Sequence, residues 1–84
     1  MAASRTPGAL LGDRVRELRQ KRGMTQVDLG ERLGIPQSRI SEIEKGSRVP
    51  NLETILRLAL ALECKPSTLM AIFDKEDLAK LLPK

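Results

Sequence analysis

Histidine, tryptophan and tyrosine are absent from this 84-residue chain, Phe73 is its one aromatic residue and Cys64 its one cysteine. Zinc sites of the Cys/His kind, imidazole acid–base chemistry and an internal disulfide are thereby excluded. No nucleophile–base pair stands out either, so neither an enzymatic activity nor a metal or cofactor is expected. The shortage of aromatics removes the platforms on which single-stranded bases stack. It also leaves Leu, Ile, Val and Ala to build the core, a palette that suits helices. Long apolar runs are missing too. The most apolar stretch, residues 58–62, is far too short to span a bilayer, and no membrane partner is expected. The start of the chain, MAASRTPGA, lacks the apolar core of a signal peptide. A cytoplasmic location is the expectation, with Cys64 a buried, inert thiol.

What the chain does have is asymmetric charge. The net charge is +4, and residues 1–52 hold ten Lys/Arg against six Asp/Glu, whereas residues 53–84 hold five of each. The excess therefore lies wholly in the first half, as a phosphate-facing surface requires. Eighty-four residues make one small domain with little core to spare.

Apolar spacing and cap residues divide the chain. Residues 1–8, broken by Pro7 and Gly8, read as a flexible arm. A first helix is predicted from about Ala9 to Arg22, burying Leu11, Val15 and Leu18 and stopped by Gly23. Thr25 caps a second helix, with Asp28 in the capping-box position. Leu29 and Leu33 share its buried face. Gly34 can end that helix in the left-handed conformation, Ile35 can plug the joint, and Gly30 offers a bare surface where two helices would cross. A third helix starts near Pro36 and ends at Gly46, with Ile40 and Ile43 inward. Asn51 caps a fourth helix over residues 52–62, whose inward stripe is Leu52, Ile55, Ala59 and Leu62. A fifth, opened by Lys65 and Pro66, runs to about Phe73 and packs through Leu69 and Met70 or Ile72. Asp74 and Asp77 would box the start of a short sixth helix, with Phe73 and Leu78 spaced as a hydrophobic staple. The expected architecture is all-α: residues 9–73 as five helices around one core, and 74–84 as a helical tail.

The stretch QVDLGERLGIPQSRISEIEK, residues 26–45, thus reads as two short amphipathic helices joined by a tight turn. With Gly23-Met24-Thr25-Gln26 before it, and Ile40 through Gly46 followed by Pro50 after it, it resembles the Cro/C1-type (XRE) family of DNA-binding domains. The resemblance covers roughly residues 11–71. It implies a lambda-repressor-like fold with the helix-turn-helix at helices 2 and 3. Three positions depart from the pattern. Pro36 replaces the usual small polar cap, Glu63 stands where a helix-ending glycine is common, and Leu60 stands where a charged residue is frequent.

A helix laid in the major groove reads base edges from its first turn and a half, on the face away from its own core. With Ile40 and Ile43 inward, the outward residues are Gln37, Ser38, Ser41 and Glu42, with Arg39 on the flank. Gln37 can bond N6 and N7 of adenine together, and Ser38 can donate or accept. Arg39 can reach guanine or a phosphate, while Glu42 can accept from cytosine N4 or pair with Arg39. The resemblance implies base contact for Gln37, Ser38, Ser41 and Glu42. It also implies that Gln26 bonds a phosphate and braces Gln37, and that Arg19 and Glu44 form an internal salt bridge between the first and third helices. Lys45, Arg48 and Asn51 are candidate phosphate clamps. Arg14, Arg16, Lys21 and Arg22 fit a clamp or a solvated face equally.

Two readings of function follow. One is a sequence-specific, double-stranded DNA-binding regulator, a repressor in the first instance, acting as a homodimer on an inverted repeat. The other is an antitoxin-type module that binds a protein partner through the C-terminal tail and represses its own operon. Leu60 either widens the core or joins Leu56 and the tail residues Leu78, Leu81 and Leu82 in a subunit interface.

Overall fold

The cap signals along the chain become six helices in the computed structural model, which describes residues 6–83. These are α1 (Pro7–Lys21), α2 (Gln26–Leu33), α3 (Gln37–Lys45), α4 (Leu52–Ala61), α5 (Pro66–Met70) and α6 (Lys75–Ala79). Thr25 and Asp28 form the anticipated capping box at the start of α2, and Asp74 and Asp77 form a second at the start of α6. Asn51 caps α4 by accepting the Thr54 N–H at 2.8 Å.

Several boundaries differ from the sequence reading. The first helix starts at Pro7, not Ala9: the Thr6 hydroxyl accepts the Ala9 N–H, and Pro7 occupies the first turn, where its missing N–H costs nothing. Pro7 and Gly8 are therefore part of α1 with Thr6 as its cap, and the rest of the expected arm lies outside the described residues. Pro36 is the N-cap of α3 rather than its first helical residue, and makes no side-chain cap bond. The fifth helix stops at Met70, after which a turn returns Phe73 to the core.

Leu11, Val15, Met24, Leu29, Leu33, Ile40, Ile43, Leu58, Ala59, Leu62 and Leu69 form the buried core. Leu18, Ile35, Ile55, Cys64 and Phe73 pack against it half-buried. Cys64 is a free thiol. Leu52 does not join the core, being 70% exposed. A helical Cβ tilts toward the N-terminus, so this first-turn residue points past the packed region, and Leu58 fills the stripe instead. Leu69 is fully buried, and of the alternatives Met70 or Ile72 it is Ile72 that turns partly inward, Met70 being 40% exposed. Among the described residues, no helix is long and apolar enough to cross a membrane.

Two glycines set how closely the helices approach. A Cβ on Gly12 would lie 2.3 Å from the Ile43 carbonyl and 2.5 Å from that of Glu44. The α1–α3 crossing therefore depends on hydrogen at that position. At Gly30 a Cβ would meet the Ile35 carbonyl at 2.7 Å and come within 3.5 Å of the Gln37 nitrogen and 3.6 Å of the Ile40 side chain, so the bare surface accommodates both the turn and the start of α3.

Candidate nucleic-acid interface

Helix α3 is pinned at both ends before any of its outward side chains is considered. At its start, Gly34 adopts φ 72° and lets the Ile35 N–H reach the Gly30 carbonyl at 2.9 Å, a Schellman closure of α2. The chain thereby turns within two residues from one helix into the next. At its far end Gly46, with φ 81°, sends the Ser47 N–H to the Glu42 carbonyl at 3.1 Å. Ile40, Ile43 and Glu44 form the buried side of α3.

Glu44 is buried because it is fully engaged. Arg19 donates through Nε to Oε2 at 2.6 Å and through Nη2 to Oε1 at 3.1 Å, and its Nη1 donates to the Met24 carbonyl at 2.7 Å. The expected α1–α3 salt bridge is thus present. Each charge has its counter-charge and its hydrogen bonds, the condition for tolerating burial. The Gln26 amide donates to the same Oε1 at 3.0 Å, and the Gln37 amide donates to Gln26 Oε1 at 2.7 Å. A continuous path runs from the core to the outer face of α3, and the bracing of Gln37 by Gln26 is realised.

Gln37 and Ser38 are exposed, and Ser41 and Glu42 half-exposed, outside the buried stripe of Ile40, Ile43 and Glu44. The four lie one and four residues apart, as a single reading face needs. Lys45 continues the face at the end of the helix, exposed. Arg39 does not pair with Glu42. Its side chain lines a shallow hollow of about 200 Å³ with Ile35, Ile43, Val49, Pro50 and Thr54. The partner of Glu42 is Arg48, whose Nε donates to Oε1 at 2.8 Å. That bond holds the Glu42 carboxyl below the usual range, and Arg39 and Lys45 add to the effect. Asn51 commits its carbonyl oxygen to the α4 cap and keeps its amide N–H groups.

The basic residues of α1 are mostly engaged within the fold. Arg14 bonds Glu17 at 2.9 Å and the Thr68 carbonyl at 3.2 and 3.1 Å, joining α1 to α5. Arg16 lies 3.8 Å from Asp13 and 3.6 Å from Glu44. Arg22 bonds the Glu63 carboxylate at 3.2 Å and its carbonyl at 2.9 Å, and Arg32 reaches the same carboxylate at 3.4 Å. Arg57 donates to the Leu33 carbonyl and ties α4 to the end of α2. The Glu63 clamp was missed from sequence, though its signal was present. Glu63 adopts φ 57°, and the glycine expected there would need no such anchoring. The expected interface leucines are all exposed: Leu60 to 80%, Leu56 less so, and Leu78, Leu81 and Leu82 along the tail. Among the described residues, no group of carboxylates and thiol could hold a metal ion.

Comparison with known proteins agrees with this geometry. The sequence model described as Helix-turn-helix (HTH_3) matches residues 15–69. The repressor protein C2 of Salmonella phage P22 is 38% identical over 61 residues, 73% of this chain but only 28% of that protein. In its crystal structure in complex with synthetic operator 9T, it superposes with a TM-score of 0.69 at 31% identity, covering 83% of this chain and all of that one. An uncharacterized HTH-type transcriptional regulator of Archaeoglobus fulgidus is 37% identical over 65 residues, 77% of this chain and 91% of that protein. The restriction-modification controller protein C.AhdI from Aeromonas hydrophila matches with a TM-score of 0.70 at 38% identity, over 73% of this chain and 92% of that one.

Proposed function

The chain belongs to the helix-turn-helix family of XRE type, that of DNA-binding transcription regulators, and from that premise we propose that it is a sequence-specific repressor acting as a homodimer on an inverted-repeat operator. The observation that carries the reading is α3 itself: an anchored helix with Gln37, Ser38, Ser41 and Glu42 on its open face. Gln37 takes adenine through paired donor and acceptor, Ser38 and Ser41 adapt to either groove edge, and Glu42 accepts from cytosine. Lys45, Arg48, Asn51 and the amide of Gln26 fix the register on the phosphates, with Arg48 leaving Glu42 to do so, and Arg39 on the flank reaches a guanine or a phosphate. The operator complex of the P22 repressor and the name of the Aeromonas controller support control of transcription through DNA.

One domain reading four or five base pairs gains selectivity by doubling, and two-fold symmetry places half-sites about one helical turn apart. Leu52, Leu56 and Leu60 recur every four residues along the open side of α4, and the tail adds Leu78, Leu81 and Leu82. Those surfaces form the dimer in this proposal, with residues 74–84 as the assembly element beyond the DNA-binding domain. Selection of bound fragments from random double-stranded DNA tests the whole scheme. The expected product is an inverted repeat whose preferred bases include an adenine lost by Gln37→Ala, at about 1–3 kcal/mol. Recovery of a pool without any preferred sequence would end it.

A further inference from the structure

We infer that Glu44, buried in the salt bridge with Arg19, is a positioning residue that makes Gln37 select adenine over guanine. The inference rests on the reading of Gln37 as a base-contacting residue and deepens it. Its basis is the one-way character of the hydrogen bonds between them. Every neighbour of the Glu44 carboxylate is a donor: Arg19 Nε at 2.6 Å and Nη2 at 3.1 Å, Gln26 Nε2 at 3.0 Å, and Arg16 Nε at 3.6 Å. An ionised carboxylate can only accept. Gln26 must therefore present its NH₂ end to Glu44, which turns its oxygen outward. That oxygen can only accept, so Gln37 must offer it an N–H, as it does at 2.7 Å. Gln37 is left with one N–H and its carbonyl oxygen facing outward. That donor–acceptor pair complements adenine, which shows N7 as acceptor and N6 as donor.

Reversing the polarity would reverse the choice. If Gln26 presented its NH₂ to Gln37, the Gln37 oxygen would turn inward and both its N–H groups outward. Two donors complement guanine, whose N7 and O6 both accept. Among the described residues, the Gln37 side chain makes no hydrogen bond besides that to Gln26, so nothing else on the protein holds its amide one way round. The charge that decides the base thus sits in the core and never touches DNA.

Three variants of the full chain separate this role from a merely structural one. Each selects duplexes from a random double-stranded pool. The preferred duplex is then remade with guanine in place of adenine at the position that Gln37→Ala ceases to discriminate. Gln26→Met removes the relay and leaves the Arg19–Glu44 bonds in place. Its thermal melt should match that of the parent, while its preference for adenine over guanine falls by about tenfold, the worth of one bidentate contact. Glu44→Gln should turn its oxygen to Arg19 and its NH₂ to Gln26, shifting the preference toward guanine. Should that variant fail to fold, Gln26→Met decides alone. Equal losses on both duplexes for Gln26→Met would overturn the inference, as would a folded Glu44→Gln protein that still favours adenine. If Gln37→Ala keeps the adenine preference, the base-reading role of Gln37 itself fails, a different and separately recognisable result.

Discussion

At the scale of single residues, the molecule places its most demanding chemistry where sequence chemistry alone is quietest. Arg19 and Glu44 are exposed to solvent by only 9% and 1%. Arg19→Ala should destabilise the fold by about 3–5 kcal/mol, because the buried carboxylate loses its bidentate partner and keeps only Gln26 and the more distant Arg16. DNA binding should then be lost only as far as the protein unfolds. A variant that melts like the parent yet binds no DNA would move Arg19 from the scaffold to the interface. Gly12 is constrained by space alone. An added methyl would overlap the Ile43 and Glu44 carbonyls, so Gly12→Ala should cost about 1–3 kcal/mol or more in urea unfolding. Unchanged stability would show that α1 and α3 can part without cost. Glu42→Gln works in the opposite sense. It releases Arg48 and removes a negative charge from the proposed phosphate-facing surface. Affinity for unrelated duplexes should rise, because Arg48 no longer has to leave a carboxylate to reach phosphate, while preference at the base pair that Glu42 reads should fall. Weaker binding to unrelated DNA would contradict that.

At the scale of elements, stability is tied to the boxed helix starts. The Thr25 N–H donates to Asp28 at 2.9 Å, and this bond, with the one from the Thr25 hydroxyl, holds the Asp28 carboxyl below its ordinary value. In the second box it is the opposite arm that acts: the Asp77 N–H donates to the Asp74 carboxylate at 2.9 Å and holds it below its ordinary value. A depressed folded pKa contributes stability that is complete above the unfolded value and lost as pH falls through the folded one. Urea midpoints should therefore decline below about pH 4, and Asp28→Asn should flatten that decline. Coincident pH profiles would show that the box does not supply it. Both boxes, the left-handed turn at Gly34, the Asn51 cap and the inward Ile40 and Ile43 were legible in the sequence, because each depends on neighbours within a turn or two. The Arg19–Glu44 pair was read only through family resemblance, since its partners lie 25 residues apart. The contact of Gly12 with α3, Arg57 at the end of α2 and the Arg22–Glu63–Arg32 cluster were not read at all. Each depends on how elements cross, which no local periodicity encodes. Arg48 was read as a free clamp for the same reason, its bond to Glu42 forming only once the loop after α3 folds back.

At the scale of the whole molecule, the charge excess of the first half should make binding electrostatic. With six or more phosphates neutralised in total, affinity should fall by orders of magnitude between about 50 and 200 mM salt. Flat affinity over that range would remove the DNA-binding proposal. Deletion of residues 74–84, or Leu60→Lys, should shift sedimentation toward monomer and weaken operator binding while leaving the helical content of α1–α5. A full chain that remains monomeric at high micromolar concentration would sink the dimer, and a truncation that unfolds would place the tail in the monomer core. Phe73 bears on how these states can be observed. It packs against the core and, with Pro7, Met70, Leu78 and Leu81, lines an apolar hollow of about 180 Å³ beneath the tail. As the one aromatic side chain, it leaves the protein without tyrosine or tryptophan emission. An indole placed there by Phe73→Trp would glow against a dark background. Its colour would report the wetting or drying of the joint where tail, α1 and α5 meet.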